Sequence, residues 1–216
     1  MDLTAEEVRV LGCLVEKAAT TPDNYPLSTN ALTNACNQKN NRDPVVDFTD
    51  RVVTETLLLL RPASLARTVT GSGRVEKHRH TLDEAWGLSD RQMAVLAVLM
   101  LRGPNSPGEL KTRTERYVAF DDLDEIERVL HSLAERPEPL VANIGRLSGQ
   151  SQDRWTHLLS GEPVLASAST QRSGASAAQP MPSTRSELEE RVERLEQRLA
   201  RLESELGLVD PPVSSL

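Results

Sequence analysis

The sequence predicts a mainly helical protein with small β-wings: two tandem winged helix-turn-helix domains followed by a C-terminal coiled-coil helix. Three helical patterns followed by two strand patterns occur twice, with a period of about 80 residues, which is typical of a duplicated winged helix. In each repeat a glycine-containing turn separates the strand patterns, as expected for a hairpin. Near the end of the chain, leucines follow a heptad spacing that predicts a coiled coil.

The first repeat begins with a capping box, in which Thr4 is followed three residues later by Glu7. Apolar residues at helical spacing follow, from Val8 to Ala18. The other predicted elements are helices over about 28–38 and 49–61 and strands over about 65–69 and 74–82.

The second repeat begins in the same way, with Ser89 followed by Gln92. Its first helix ends at Gly103, and Pro107 stands in the first turn of the next, where its missing N–H is harmless. The remaining elements are helices over about 107–114 and 122–135 and strands over about 140–144 and 154–159.

The repeats define the expected domain organisation. Residues 1–85 form the first winged-helix domain and residues 86–161 the second. Residues 162–184 are rich in Ala, Ser, Gln and Pro and almost uncharged, which predicts a flexible linker. A coiled-coil helix over 185–207 and a disordered tail over 208–216 complete the chain.

The coiled-coil segment is predicted to form a homodimer. Its apolar seam consists of Leu188, Val192, Leu195, Leu199, Leu202 and Leu206. In a parallel pair Arg191 faces Glu196 and Arg198 faces Glu203, whereas an antiparallel pair sets like charges together, so charge favours the parallel arrangement. The alternative is a single solvated helix supported by i,i+4 ion pairs.

Composition predicts a cytoplasmic protein without a membrane partner. No apolar run approaches the roughly 18 residues that a membrane span needs, and the first residues carry no basic, apolar secretory signal. The two cysteines, Cys13 and Cys36, fall in helical patterns and are expected to be buried thiols.

The chain lacks the motifs of common enzymes, including the nucleophile elbow, the P-loop and the zinc-protease helix. His78 and His80 share one face of a predicted strand and could hold a metal, but two ligands are too few for a structural zinc site. We therefore predict no catalytic residue, no metal and no cofactor.

Charge is distributed unevenly along the chain. The formal net charge is -7, yet residues 38–80 carry eight basic and five acidic residues, a local +3. A basic region in an acidic chain indicates where an anionic partner binds. The candidate nucleic-acid-binding residues are Asn37, Lys39, Asn41, Arg42, Arg51, Arg74, Lys77 and Arg79.

These candidates fall into a loop, a helix and a hairpin. Amides and cations in the loop of 37–42 can contact phosphates or base edges, although Asn also caps helices and fills turns. Arg51 lies in the third helix. The charges of the first hairpin can contact phosphates, or can protect an exposed sheet edge from pairing.

The third helix of the second repeat has the opposite charge. Five carboxylates stand between positions 121 and 127. Acidic residues stabilise a helix N-terminus, but a duplex would repel this number of them. The second domain is therefore expected to bind a protein partner or to act as a spacer.

Two stretches resemble a known family. The first consists of Thr21-Pro22-Asp23-Asn24-Tyr25-Pro26-Leu27, Asn30-Ala31-Leu32, Asn34-Ala35-Cys36-Asn37-Gln38-Lys39 and Asn41-Arg42-Asp43-Pro44-Val45, and the second of Pro107-Gly108-Glu109-Leu110 and Arg113-Thr114-Glu115-Arg116. Together they resemble the YceH-like family of bacterial proteins of unknown function, over roughly Leu3 to Leu159. The resemblance implies tandem winged helices and supplies no catalytic residue. The chain departs from it at Arg61-Pro62-Ala63-Ser64, where a glycine-containing helix exit is expected.

Two functions follow from these observations. The first is a non-enzymatic, DNA-binding, regulator-like protein that contacts nucleic acid through its first winged helix. The second is a protein–protein adaptor built from acidic tandem winged helices, without direct DNA binding; the fold alone does not separate the two.

Overall fold

The computed structural model describes residues 2–69, 75–146, 150 and 152–161, which belong to one compact unit. Its helices are α1 (Ala5–Thr20), α2 (Thr29–Cys36), α3 (Asp50–Leu60), α4 (Leu82–Trp86), α5 (Asp90–Arg102), α6 (Pro107–Thr114) and α7 (Leu123–Ala134). Its strands are β1 (Leu27–Ser28), β2 (Ala66–Val69), β3 (Lys77–His80), β4 (Val141–Gly145) and β5 (Arg154–His157). The described part is mainly helical with small antiparallel sheets, which confirms the coarse prediction.

Capping boxes fix where several helices begin. At the start of α1, Thr4 Oγ1 accepts from the Glu7 N–H at 3.2 Å, and the Glu7 carboxylate accepts from the Thr4 N–H at 2.8 Å. The box predicted at the start of α5 has the same reciprocal bonds. A third box, which was not predicted, joins Ser106 and Glu109 at the start of α6. These bonds satisfy N–H groups that the first turn of a helix leaves without partners.

Each repeat ends in an antiparallel hairpin. Strands β2 and β3 pair after α3, and β4 and β5 pair after α7. The first hairpin gains a third strand, because β1 pairs with β3 and gives the order β1-β3-β2. Strand β1 and the short helix α4 were not predicted, since neither is long enough to show a periodic pattern.

The cores of the two repeats meet where α1 packs against α5. Residues 7–16 of α1 and 94–101 of α5 are buried without interruption, so both helices are covered on more than one side. Gly12 lies in this contact: a Cβ there would come within 2.9 Å of Leu101 and 3.1 Å of Met100. The thiols of Cys13 and Cys36 are free and buried in this core, as predicted.

Replacing Gly12 with alanine is expected to destabilise the protein by about 1–3 kcal/mol, the usual cost of overfilling a packed core. In a helix, alanine is normally more stabilising than glycine by roughly 0.5–1 kcal/mol. A loss of stability on this substitution would therefore show that the added methyl group clashes with α5. Gly108→Ala is the matched control, because the nearest atom to a Cβ there, Gln152 Oε1, is 3.7 Å away. Urea unfolding of both variants tests this; an equal shift of the two midpoints would contradict it.

In the turn after α3, a serine takes the place of the glycine that was expected at the helix exit. Ser64 adopts a left-handed backbone conformation with φ of 58°. Its N–H donates to the Arg61 carbonyl at 2.9 Å, and its carbonyl accepts from Thr81 Oγ1 at 2.8 Å. Serine therefore occupies a conformation that glycine adopts more readily, supported by bonds on both sides.

Several predictions lie outside the described residues: the linker over 162–184, the coiled coil over 185–207 with its seam from Leu188 to Leu206, and the tail over 208–216. The domain boundary at 85/86 stays a prediction. In the ranges that the structure describes, no helix combines the length and apolar character needed to cross a membrane.

Candidate nucleic-acid interface

The three-stranded sheet has an outer face that carries cations. Along β3, Lys77 is exposed and Arg79 half-buried, while His78 and His80 between them are buried on the opposite face. Successive residues of a strand point to opposite faces, so both cations lie on the outer one. Arg67 of β2 is directly opposite Arg79 and therefore shares that face.

Strand β1 brings the start of α2 to the same place. Ser28 is the register partner of Lys77 and is also the N-cap of α2, where its hydroxyl accepts from the Ala31 N–H at 3.3 Å. The first turn of α2 contains no acidic residue. The exposed side chains of this helix include Asn30 and Asn34. A helix N-terminus beside a lysine is an arrangement that suits a phosphate group.

One carboxylate opposes these cations. Glu84 of α4 lies 3.7 Å from the Arg67 guanidinium and 3.0 Å from that of Arg79. Within the described residues Lys77 forms no ion pair. Arg74, which was also predicted as a contact in this hairpin, lies outside the described residues. The outer face thus retains a net positive charge.

The two histidines of β3 have structural partners. His78 Nε2 lies 3.1 Å from Thr29 Oγ1, and the backbone N–H of His80 donates to the Tyr25 hydroxyl at 2.8 Å. Burial lowers the pKa of both imidazoles, which favours their neutral forms. In the described ranges, no three His, Cys, Asp or Glu side chains group as a metal site requires.

The outer face of α3 differs from a typical DNA-recognition surface. Arg51 is exposed, but its Nε donates to the Glu55 carboxylate at 2.7 Å. One turn after Glu55, Leu58 and Leu59 are 54% and 61% exposed. Arg51 therefore remains a candidate contact, on a helix face that is otherwise apolar and acidic.

The loop between α2 and α3 is held by its own asparagines. The Asn37 amide donates to the Phe48 carbonyl and accepts from the Phe48 N–H, both at 2.8 Å. Asn41 adopts a φ of 61° and accepts from the Arg102 guanidinium at 2.9 Å. Both side chains have structural roles, whereas Lys39 is exposed and keeps its predicted role as a candidate contact.

Arg42 requires a correction. Its side chain is fully buried and paired with Glu16, which is also fully buried. The guanidinium also donates to the Ala35 carbonyl at 2.9 and 3.1 Å and to the Gln38 side chain at 3.1 Å. With its donors occupied inside the protein, Arg42 has no surface for a phosphate, and the prediction for this residue is wrong.

The carboxylate of Glu16 joins the two repeats. It accepts from Arg42 in the first repeat and from Arg116 in the second, and the Tyr117 hydroxyl lies 3.4 Å away. The backbone adds a further connection, because the Asp43 N–H donates to the Leu101 carbonyl at 2.8 Å. Glu16 was not predicted from the sequence. A charged residue inside a helix whose apolar positions occupy more than one face could have indicated that its side chain is buried.

The acidic helix of the second repeat is partly explained by structure. Asp122 caps α7 by accepting from the Glu125 N–H at 2.7 Å, and Glu125 forms an ion pair with Arg91 at 3.0 Å. Asp124 and Glu127 remain exposed on the outer face. Two of the five carboxylates thus stabilise the fold, and the exposed ones keep α7 unsuited to a duplex.

Comparison with known proteins gives consistent matches. The model of a family described as protein of unknown function, DUF480, matches residues 3–150. A UPF0502 protein of Geotalea uraniireducens is 48% identical over 165 residues, 76% of this chain and 75% of the relative. UPF0502 proteins of Pelobacter propionicus and Solibacter usitatus are 51% and 49% identical over 162 and 164 residues, covering 75% and 76% of this chain and 74% and 79% of the relatives.

Proposed function

Since the chain belongs to the DUF480 or UPF0502 family of uncharacterised bacterial proteins, as its resemblance to the YceH-like proteins implied, we propose a function from its surfaces: a non-enzymatic, regulator-like protein that binds DNA through its first repeat. In this proposal each repeat is a winged helix, with α1–α3 and β2–β3 in the first and α5–α7 and β4–β5 in the second. The order of three helices followed by a hairpin supports that interpretation.

One observation carries the proposal. The pairing of β1 with β3 sets Lys77 beside the N-terminus of α2, next to the outward cations Arg67 and Arg79. Cationic side chains and helix N-termini are the groups that contact DNA phosphates. The exposed amides Asn30 and Asn34 follow on α2, and amides can pair with adenine in the major groove. The first repeat therefore offers positioning contacts and base contacts on adjoining elements.

Changing Arg67, Lys77 and Arg79 together to alanine is expected to weaken binding of a short labelled duplex, whatever its sequence. The slope of log K against log salt is negative, and each lost phosphate contact reduces its magnitude by about 0.9, so the slope should become less steep by about 2 to 3. Fluorescence anisotropy across a salt series measures both quantities.

The control removes the same charge from the second repeat, by changing Arg91, Arg128 and Arg146 to alanine. All three are exposed, and this variant should bind like the wild type. The full chain is used for both, because α1 and α5 share a core. Equal weakening in the two variants, or no binding by the wild type at low salt, would refute the proposal.

A protein–protein adaptor without direct DNA binding is the second candidate, favoured by the exposed pair Leu58 and Leu59 on α3. Neighbouring exposed leucines are more typical of a protein contact than of a DNA contact. A pull-down from cell extract with and without nuclease separates the two functions. An adaptor retains its partner after nuclease treatment and does not bind the purified duplex.

A further inference from the structure

A groove crosses the second repeat between the start of α6, the outer face of α7 and the β4–β5 hairpin. Its volume is about 400 Å³, within the range of ligand-binding clefts. Trp155 lines its buried part, and the His131 ring meets the Trp155 ring edge-on with 5.4 Å between centroids. Gly108 lines it from α6 without a side chain. The inner wall is thus aromatic, although Trp155 itself is only 5% exposed.

Leu123 lies at the edge of this groove, in the first turn of α7. Its side chain is 45% exposed, although it is large and apolar. This exposed leucine offers a place for one apolar side chain of a partner, which would remove the leucine surface from water.

The charged residues that line the groove are mainly acidic. Glu127 and Asp153 are exposed. Arg146 also lines the groove, but it lies 3.1 Å from Asp153 and forms an ion pair with it. Among the residues that the structure describes, Glu127 forms no ion pair. Its carboxylate is therefore available to a cation from outside.

The acidic surface continues along α7. A shallower depression shares Glu127 and His131 with the groove and extends from Asp124 to Glu135. Its charged lining consists of three carboxylates, those of Asp124, Glu127 and Glu135, and one guanidinium, that of Arg128. At 1.5 Å per residue this distance is about 16 Å, the length of about five residues of extended chain. The surface thus has the dimensions of a peptide site.

We propose that this surface, the acidic groove, binds a basic segment of a partner protein. One apolar side chain of the segment packs against Leu123, and flanking arginines or lysines pair with Glu127 and the carboxylates along α7. The same carboxylates repel a nucleic acid, so the charge selects a protein partner. The proposal is independent of DNA binding by the first repeat.

The test uses the full-length protein and a labelled peptide in which arginines flank a single leucine in a Gly/Ser background. Fluorescence anisotropy is expected to show saturable binding. Replacing the peptide leucine with serine, Glu127 with lysine, or Leu123 with serine should each weaken binding by about tenfold or more, as expected for the central contacts of an interface. A peptide with glutamates in place of the arginines should not bind.

Glu55→Lys is the matched control, since it reverses another exposed helical carboxylate, on α3, and should leave peptide binding unchanged. Because Glu127 and Leu123 are exposed, their variants should retain the wild-type thermal melt. The proposal would be overturned if Glu55→Lys weakened peptide binding as much as Glu127→Lys does, or if Glu127→Lys bound the peptide as tightly as the wild type. It would also be overturned if replacing the peptide leucine with serine left the affinity unchanged. Duplex binding by Glu127→Lys should match the wild type, so a failure here is distinguishable from a failure of the proposed DNA function.

Discussion

Replacing Glu16 with glutamine is expected to destabilise the protein by about 3–5 kcal/mol, because it leaves a buried cation without its counter-charge. The Arg42 side chain has no exposed surface and cannot turn to water, whereas Arg116 is 43% exposed and can. The loss should therefore come mainly from Arg42. Chemical denaturation measures it, as a lower midpoint with an unchanged slope.

Glu55→Gln is the control for this prediction, since Glu55 also pairs with an arginine in a helix but lies at the surface. Exposed ion pairs contribute little to stability, so the midpoint should hardly move. A double-mutant cycle with Arg42→Met should show strong coupling between Glu16 and Arg42. Equal effects of the two glutamine substitutions would show that burial of the ion pair is not what matters.

Leu57→Ala is expected to destabilise the protein by about 2–5 kcal/mol, the range for truncating a buried leucine. Leu57 faces the core from α3 and is 2% exposed, while its neighbour Leu58 is 54% exposed. Leu130 is the buried equivalent on α7, and Leu130→Ala should have a similar effect. Thermal melts followed by circular dichroism measure all of these variants.

Leu58→Ala is the control, because it makes the same substitution one position away on the exposed side of the same helix. It should leave the melting temperature almost unchanged. A larger loss for Leu58→Ala than for Leu57→Ala would mean that α3 is rotated relative to the structure. Unchanged melts for both Leu57→Ala and Leu130→Ala would contradict the core described above.

Long elements could be predicted from the sequence because their patterns are redundant. Helix α6 was predicted at its observed bounds, Pro107–Thr114, and α3 within one residue at each end. Pro107 in the first turn indicated where α6 begins, and the apolar spacing of Val53, Leu57 and Leu60 indicated α3. The winged-helix interpretation and the division at 85/86 concern how such elements assemble, which local patterns do not specify.

The residues of the candidate site were harder to predict from the sequence. The outward cations Lys77 and Arg79 were found because basic residues cluster in the predicted first hairpin of an otherwise acidic chain. Arg42 was assigned to the surface because charged residues usually lie there. Its partner Glu16 is 26 positions away in the chain, and nothing local indicates that a distant carboxylate buries an arginine.

The contact between α1 and α5 has a consequence for how the protein unfolds. Two independent domains would melt separately, each with its own transition. Here removal of α1 would expose to water the side of the buried segment 94–101 that packs against it, so neither repeat can open without loss to the other's core. Unfolding becomes cooperative over the whole compact unit, and a ligand bound to either repeat raises the melting temperature of both.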